Sequence, residues 1–233
     1  MTGTLRLVDT GTTSARWNIA VTAALAELHA EGRIPDTLRL HRYPVSVLLG
    51  RSQDARTALD PAACARRGAE IARRVTGGGA VAMGPGILAW DLVAARRRWP
   101  SLEAAAATIG GAVVAALATF GLAARFRPPG DVTLLGRKVA GTAGAFDGPT
   151  LVAQGSLLVS PDTATMAALL GVPILPVTTL AAHLDPDPAA VAAALATAVA
   201  DALGLSLAPA DLTQEECARA AALLAEETLE ALS

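Results

Sequence analysis

Three consecutive glycines, Gly77, Gly78 and Gly79, follow closely on the pair Arg73 and Arg74. Glycine lacks a Cβ, so such a run favours a bend in which the backbone adopts positive φ and a ligand can come close. Successive N–H groups in a bend of this kind form a concave site for an anion, and arginine adds a permanent charge with a planar fork of donors. The run therefore predicts a backbone cradle for an anionic group such as phosphate. A plain glycine-rich hairpin is the alternative.

Composition narrows the class of protein. The chain has 233 residues, and 52% of them are hydrophobic, which is enough for a sizeable core and argues against disorder. Only 3% are aromatic, so we expect a core of Leu, Val and Ala. A net charge of −2 lacks the basic excess of nucleic-acid-binding proteins, and no nucleic-acid partner is expected.

The cysteines and the apolar segments indicate the compartment. Cys64 and Cys217 lie too far apart for a metal motif, and two cysteines make a disulfide framework implausible. The first residues hold no apolar signal core, and the alanine-rich stretch 188–203 is short and carries Asp201. We expect a cytoplasmic protein with no membrane partner.

Hydrophobic periodicity and turn residues predict the order of elements. Helices are predicted over residues 14–30, 60–67, 101–120, 161–170, 188–203 and 214–232. Strands are predicted over residues 5–8, 37–41, 45–49, 70–75, 80–82, 86–93, 132–135, 138–142 and 151–159. Strands dominate the middle and helices intervene, which favours an α+β fold with a mixed, largely antiparallel sheet flanked by helices.

The proline-rich segment 182–188 is the best candidate boundary. We predict a catalytic domain over residues 1–185 and a helical extension, residues 186–233, packed on the same domain. The extension is too short for a confident independent domain.

A second group of polar residues lies about sixty residues beyond the glycines and includes Asp131, Arg137 and Lys138. Lys138 is the only lysine of the chain, which indicates that an ammonium is needed there. A compact ammonium can contact a carboxylate and a phosphate at once. Survival of one surface lysine in an arginine-rich chain is the alternative. Asp131 could hold a cation or cap the turn before it, and Gly155 marks a strand position that another group approaches closely.

These segments resemble the lipoate–protein ligase A family, within the biotin and lipoate ligase fold. The resemblance rests on RRVTGGGAV and GILAWDL, then on GRKVAGTA and QGSLLV. Weaker similarity upstream and downstream of these motifs extends the resemblance to roughly residues 38–184. The glycine and lysine motifs in this order and spacing are fairly specific, whereas either alone would be weak.

The resemblance implies a reaction in two steps. ATP first activates lipoate, or octanoate, to an acyl-AMP with release of pyrophosphate. A lysine of a lipoyl carrier domain then takes the acyl group, and the carrier is a 2-oxoacid dehydrogenase E2 domain or a glycine cleavage H-type protein. Fixed charge rather than a covalent residue suits this chemistry.

The resemblance also implies a role for each matching residue. Lys138 is the predicted catalytic residue, on the lipoyl carbonyl and the phosphate, and Asp131 matches an acidic residue near Mg²⁺ and nucleotide, although no motif predicts a metal site directly. The predicted ATP and lipoyl-AMP ligands are Arg74 on phosphate, Gly77, Gly78, Gly79, Ala80, Val81, Ala82, Asp131 and Lys138. The predicted lipoyl channel comprises Thr76, Gly141, Thr142 and Gly155.

Departures from the family pattern leave other functions open. Met83 and Gly130 stand where many relatives carry other groups, and the chain is shorter than the two-domain ligases, which carry a C-terminal accessory domain. Adenylation therefore either uses a separate accessory subunit or proceeds in this minimal form. One alternative is an octanoyl or lipoyl acyltransferase of the same fold, which needs a cysteine near Lys138 that the flanking segments do not supply. Another is an inactive lipoyl- or nucleotide-binding subunit.

The histidines give no catalytic pattern. His29, His41 and His183 are scattered, and we interpret each as a surface or loop residue. Trp90 and Asp91 either line the acyl channel or are half-buried strand residues.

Overall fold

The computed structural model describes residues 3–170 and 176–230, of which residues 227–230 are described by backbone alone. The helices are α1 (Ala15–Ala30), α2 (Ala55–Ala58), α3 (Pro61–Arg66), α4 (Leu102–Ala118), α5 (Thr163–Leu169), α6 (Pro188–Leu203) and α7 (Gln214–Glu230). The strands are β1 (Thr4–Thr12), β2 (Thr37–Arg42), β3 (Ser46–Leu49), β4 (Glu70–Arg73), β5 (Val81–Met83), β6 (Ile87–Ala95), β7 (Arg125–Arg127), β8 (Asp131–Leu134), β9 (Arg137–Asp147), β10 (Thr150–Leu158) and β11 (Ser206–Pro209).

Eight strands form the main sheet in the order β11-β1-β2-β6-β10-β9-β8-β7. The pairs β1–β11 and β1–β2 are parallel, and the other strand pairs in this sheet are antiparallel. A small second sheet has the order β4-β3-β5. The predicted α+β fold with a largely antiparallel sheet is confirmed.

Local sequence signals explain where the helices begin and end. The Ser14 hydroxyl accepts a hydrogen bond from the amide of Trp17 and caps α1, as the sequence predicts. Asp187 caps α6 and Pro188 opens it, while Gly204 ends it in the left-handed conformation at φ 65°. The bounds of α6 match the prediction.

The larger core lies where α4 and α6 pack on one face of the main sheet. Leu195 of α6 is fully buried there, in the same cluster as Val113 of α4 and Leu92 of β6. Burying a leucine of this kind stabilises a fold by roughly 1.5–3 kcal/mol. The opposite face carries α1, α7 and the small sheet, and the candidate site lies on that side.

The segment after residue 185 shares this architecture. Helix α6 contributes to the larger core, β11 adds a strand beside β1, and α7 packs on α1. Arg219 of α7 pairs with Glu27 of α1 and with Glu31, which caps the C-terminus of that helix. The division at residue 185 stays a prediction. None of the helices in the described ranges combines the length and apolar character that a membrane span requires.

The structure differs from the sequence-based expectation at the glycine run. The strands on its two sides, β4 and β5, do not pair with each other in the described sheet, because β3 lies between them. The plain hairpin is therefore wrong. Three short elements, α2, β7 and β11, were not predicted, and β9 extends well past residue 142.

Candidate active site

A cavity of about 550 Å³ lies between the main sheet and the small sheet. Its walls include the glycine bend on one side and the start of β9 with Lys138 on the other. Both groups that the sequence singled out therefore face the same space. Met166 and Leu170, in and after α5, add apolar surface, and several alanines keep the walls open.

The glycine bend is held by Arg74. This side chain is buried, and its guanidinium donates to the carbonyl oxygens of Leu48 at 2.9 Å, Gly77 at 2.8 Å and Gly79 at 2.8 Å. Gly78 adopts φ +94°, which explains why glycine is needed there. Because the carbonyls turn toward Arg74, the bend is fixed before any ligand arrives. The amides of the three glycines donate no hydrogen bond within the described ranges, and all three residues are exposed.

Two further residues support the bend, and sequence reasoning missed their roles. A Cβ on Gly50 would lie 1.9 Å from the carbonyl oxygen of Gly78, so only glycine fits where the two loops cross. Arg73 donates to the carbonyl oxygens of Gly50 at 2.9 Å and Gln53 at 2.7 Å, which fixes the second loop. The signal for Gly50 was its place directly after the buried strand β3.

The ammonium of Lys138 lies 2.6 Å from Oδ1 of Asp131, and Arg127 donates to Oδ2 of the same carboxylate at 2.6 Å. Burial acts to raise the pKa of Asp131, but the bonds from Lys138 and Arg127 outweigh it and the pKa lies below its usual value. The lysine side chain keeps 29% of its surface exposed. A charged ammonium of fixed position therefore borders the cavity.

The backbone also fixes Lys138. Its N–H donates to the carbonyl of Pro176 at 2.9 Å, and its carbonyl accepts from Thr178 at 2.9 Å. A Cβ on Gly141 would lie 2.7 Å from the lysine Nζ, so this glycine leaves the space that the ammonium uses. A Cβ on Gly130 would meet the carbonyl of Thr142 at 2.2 Å, which gives a structural reason for glycine before Asp131.

A buried ionic network lies beside the cavity. Arg39 donates to Asp91 Oδ2 from Nε at 2.9 Å and from its terminal nitrogen at 2.5 Å, and the Thr22 hydroxyl donates to the same oxygen at 2.8 Å. Gln154 donates to Asp91 Oδ1 at 3.2 Å and accepts from the Thr76 hydroxyl at 2.8 Å. Burial acts to raise the pKa of Asp91, but the charge of Arg39 and the hydrogen bonds from Arg39 and Thr22 together outweigh it, so the pKa lies below its usual value and the carboxylate is ionised. The network ties the main sheet to the segment before the glycines.

His41 lies in the same region, and its interpretation as a surface or loop residue is wrong. Only 1% of it is exposed, because it lies on β2 under the small sheet. Its Nε2 is 3.2 Å from the Tyr43 hydroxyl, and its Nδ1 has no hydrogen-bond partner in the described part of the chain. Burial lowers the pKa of His41 to about 3, and the Arg39 charge adds to the shift. The ring is therefore neutral near pH 7.

His29 is also not a free surface residue. Its ring nitrogens contact Thr150 Oγ1 at 2.7 Å and Asp36 Oδ1 at 3.0 Å. Thr150 is fully buried outside the cavity, so this contact ties α1 to the main sheet.

Most predicted site residues reach the cavity wall. These are Arg74, Gly78, Gly79, Ala80, Val81, Ala82, Asp131, Lys138, Gly141, Thr142 and Gly155. Gly77 and Thr76 do not line it, and Thr76 is fully buried in the ionic network. Trp90 and Asp91 line it as well, and the Trp90 indole occupies the space where a Cβ of Gly155 would be. Ligand roles for all of these remain predictions.

The two cysteines lie elsewhere. Cys64, in α3, is buried and donates from Sγ to the carbonyl of Leu169 at 3.7 Å. Burial raises the pKa of its thiol. Cys217 lies on α7. Neither residue lines the cavity.

Three similar proteins carry related names. An octanoyltransferase LipM from Kyrpidia tusciae is 29% identical, over 95% of each chain. The crystal structure of a lipoate-protein ligase A bound with ATP superposes with a TM-score of 0.89 at 26% identity, over 97% of this chain and 95% of the other. A bipartite lipoate protein ligase from Thermoplasma acidophilum, studied with its E2 lipoyl domain, gives a TM-score of 0.86 at 26% identity, over 97% and 93%.

The model of the lipoyl protein ligase A/B catalytic domain matches residues 14–200, which include the glycine bend, Lys138 and the cavity between the two sheets. The chain belongs to the family of lipoyl protein ligase A/B catalytic domains, and it is an enzyme of lipoyl or octanoyl transfer.

Proposed function

We propose that this chain is an ATP-dependent lipoate–protein ligase. It activates lipoate, or octanoate, to the acyl-AMP and passes the acyl group to a lysine of a lipoyl carrier domain. One observation carries the proposal: the ammonium of Lys138 and the exposed amides of the glycine bend border one cavity. An acyl phosphate needs a cation and hydrogen-bond donors in such an arrangement.

In the first step a carboxylate oxygen of the acid bonds to the α-phosphorus of ATP, and the bond to the β-phosphate bridge breaks with release of pyrophosphate. The amides of Gly78 and Gly79 hold phosphate oxygens. Lys138 offsets the charge that the two anions bring together. Asp131 keeps the ammonium in position through the contact at 2.6 Å.

In the second step the amine of the carrier lysine attacks the acyl carbonyl, the bond to AMP breaks, and the amine loses a proton as the amide forms. Lys138 stabilises the negative charge that develops on the carbonyl oxygen. Because the first step leaves the acyl-AMP beside Lys138, the same ammonium serves both steps.

No group of three His, Cys, Asp or Glu side chains that could hold a metal ion occurs in the described ranges. Both oxygens of Asp131 contact cations, Lys138 and Arg127. In the proposal Mg²⁺ enters with the phosphates of ATP, as is common for nucleotide enzymes. No step is assigned to a metal held by this chain.

The carrier and a second chain are part of the proposal. The similar Thermoplasma ligase is described as bipartite and was studied with an E2 lipoyl domain. We propose the same kind of carrier here, with an H-type protein as a second possibility. An accessory subunit supports adenylation if the isolated chain is slow.

Octanoyl transfer without ATP is the second candidate, because a LipM octanoyltransferase is among the similar proteins. A thioester mechanism needs a thiolate at the acyl group. Cys64 is buried outside the cavity, and its raised pKa keeps the thiol protonated. This geometry favours the ligase.

The experiment compares two acyl donors on one carrier domain. Lipoate with ATP and Mg²⁺ should label the carrier lysine and release pyrophosphate, whereas octanoyl-acyl carrier protein without ATP should not label it. In Lys138→Ala the rate of carrier labelling should fall by about 10²–10³-fold. Arg125→Ala is the control, since this exposed arginine on β7 does not line the cavity. Labelling from the acyl carrier protein alone would support the transferase instead.

A further inference from the structure

A row of polar side chains crosses three strands of the main sheet beside the cavity. Gln154 of β10 pairs in register with Asp91 of β6, and Asp91 pairs with Arg39 of β2. Cross-strand neighbours point to the same face of a sheet, and Gln154 and Asp91 line the cavity on that face. Arg39 and Asp91 are at most 1% exposed, and Gln154 is 8% exposed. The sheet therefore fixes the row and shields it from water.

The charges of the row determine which way the Gln154 amide points. The ionised Asp91 carboxylate can only accept hydrogen bonds, so the amide nitrogen of Gln154 faces it at 3.2 Å. The amide oxygen then faces the other way and accepts from the Thr76 hydroxyl at 2.8 Å. An apolar group at residue 76 would leave this buried oxygen without a partner, which is unfavourable. The row thus favours a hydroxyl donor at residue 76.

Thr76 connects this row to two loops. It is fully buried and directly precedes Gly77, the first residue of the glycine bend. Its carbonyl oxygen accepts from the N–H of Arg51 at 2.9 Å, in the loop that follows β3. Successive glycines have wide conformational freedom, so the bend keeps one shape only where other groups hold it. Arg74 holds two of its carbonyl oxygens, and Thr76 attaches it to the main sheet.

The same attachment relates the bend to Lys138. Gln154 pairs with Ala143 of β9, the strand on which Lys138 lies. The glycine amides lie on the small-sheet side of the cavity, between β4 and β5, and the ammonium lies on the main-sheet side. The bond from Thr76 to Gln154 joins these two sides, although Thr76 itself does not line the cavity.

We infer that Thr76 is a positioning residue: through Gln154 its hydroxyl fixes the glycine bend to the main sheet and so holds the bend amides at a constant distance from Lys138. The inference rests on the proposed function, in which those amides hold phosphate oxygens of ATP. Thr76 acts through the bend and does not contact the nucleotide. Without its hydroxyl the bend is looser and must be ordered when ATP binds, so the affinity for ATP falls.

Titration calorimetry with ATP and Mg²⁺, in the absence of acid and carrier, tests this inference. Thr76→Val keeps the shape of the side chain and removes the hydroxyl, so ATP should bind about 3- to 10-fold more weakly, which is the usual effect of one neutral hydrogen bond. Thr76→Ser, which retains the donor, should bind ATP as the wild type does.

Thr150→Val is the matched control. Thr150 is also fully buried, and its hydroxyl contacts His29 at 2.7 Å outside the cavity. This variant should lower the melting temperature and leave the affinity for ATP unchanged. Equal ATP affinities in Thr76→Val and Thr150→Val would overturn the inference.

A double-mutant cycle tests whether Gln154 is the partner through which Thr76 acts. In the Gln154→Met background, Thr76→Val should change the affinity for ATP by less than about twofold, because the bond is already absent. An effect of Thr76→Val as large as in the wild-type background would overturn the inference. If Thr76→Val does not fold, Gln154→Met breaks the same bond from β10 and gives the same comparison with Thr150→Val.

A second measurement needs no nucleotide. The Arg51 amide, which is bonded to the Thr76 carbonyl, should exchange its hydrogen about 3- to 10-fold faster in Thr76→Val than in the wild type or in Thr76→Ser. Equal exchange rates in the three proteins would overturn the positioning role. A wild-type protein that binds no ATP, with exchange rates that differ as expected, would overturn the proposed function and leave the attachment of the bend by Thr76 standing.

Discussion

At the scale of single residues, two adjacent arginines serve two loops. Arg73 holds the loop after β3, and Arg74 holds the glycine bend through three carbonyl oxygens. The sequence led us to expect Arg74 on phosphate, since a cation beside glycines suits an anion. In the structure, the guanidinium of Arg74 donates to backbone carbonyl oxygens instead. Lys138 is a cation that borders the cavity with a partly exposed side chain, and contact between Arg74 and nucleotide remains a prediction.

Gly141→Ala should disturb catalysis without unfolding the protein. The new methyl group would lie 2.7 Å from Nζ of Lys138 and would push the ammonium off its position. We expect kcat for carrier labelling to fall by about tenfold or more, a part of the effect of losing the charge. Gly111→Ala is the control, because a Cβ there meets nothing within 4 Å. Wild-type turnover in Gly141→Ala would contradict this role of the glycine.

At the scale of elements, the site depends on the place where two loops cross. These are the loop after β3 and the glycine bend between β4 and β5. The loop after β3 meets the glycine bend where Gly50 lies against the Gly78 carbonyl. Neither loop pairs with the other as a strand. The shape of the bend is therefore set by contact between loops and by Arg74.

Gly50→Ala should weaken nucleotide binding. A Cβ at 1.9 Å from the Gly78 oxygen forces the bend to move. We expect the KM for ATP to rise about tenfold or more while the affinity for the acid changes little, since the proposed function sets the carboxylate of the acid at Lys138 on β9 rather than at the bend. Gly84→Ala is the matched control, because its Cβ would meet Val45 only at 3.9 Å. A KM for ATP equal to that of the control would show that the bend does not hold nucleotide.

Prediction from sequence worked best where local signals are strong. Capping residues and glycines placed α1 and α6, and the glycine and lysine motifs located most of the cavity. The strands β7 and β11 were missed because they are short and form only by pairing with distant partners. His41 was missed because a lone histidine between Leu40 and Arg42 carries no local sign of burial. Its surroundings come from β6 and the small sheet.

At the scale of the whole molecule, the last part of the chain is part of the main core. Val191, Leu195 and Val199 of α6 are at most 2% exposed. Each contributes roughly 1.5–3 kcal/mol by burial, and the sum is comparable with the roughly 5–15 kcal/mol that stabilises a typical protein.

A chain ending at residue 187 should therefore lose its cooperative thermal transition. A chain ending at residue 213, which lacks only α7, should keep a transition at lower temperature, since it retains α6 and β11. Differential scanning calorimetry of both proteins measures this. A cooperative transition in the shorter chain would mean that residues 1–185 fold independently.

The neutral, buried His41 should make stability depend on pH. Its pKa is about 3 when folded and 6.5 when exposed. Between these two pH values the unfolded chain binds a proton on His41 and the folded chain does not. The contribution of the neutral His41 to the free energy of unfolding is therefore present above pH 6.5 and is lost as the pH falls toward 3. We expect the free energy of unfolding to drop by about 2 kcal/mol more between pH 7 and pH 5 than in His41→Gln. Parallel urea titrations of the two proteins would refute this if their pH profiles coincide.

The central claim is that one cavity brings an acid and ATP together beside Lys138. Its most direct measurement is chromatographic detection of lipoyl-AMP after mixing the protein with lipoate, ATP and Mg²⁺ in the absence of a carrier. The account predicts lipoyl-AMP with an equal amount of pyrophosphate, formed about 10²–10³-fold more slowly by Lys138→Ala. Two results would contradict this account. One is formation of lipoyl-AMP at the same rate in Lys138→Ala, and the other is a wild-type protein that forms no lipoyl-AMP but transfers octanoyl groups without ATP.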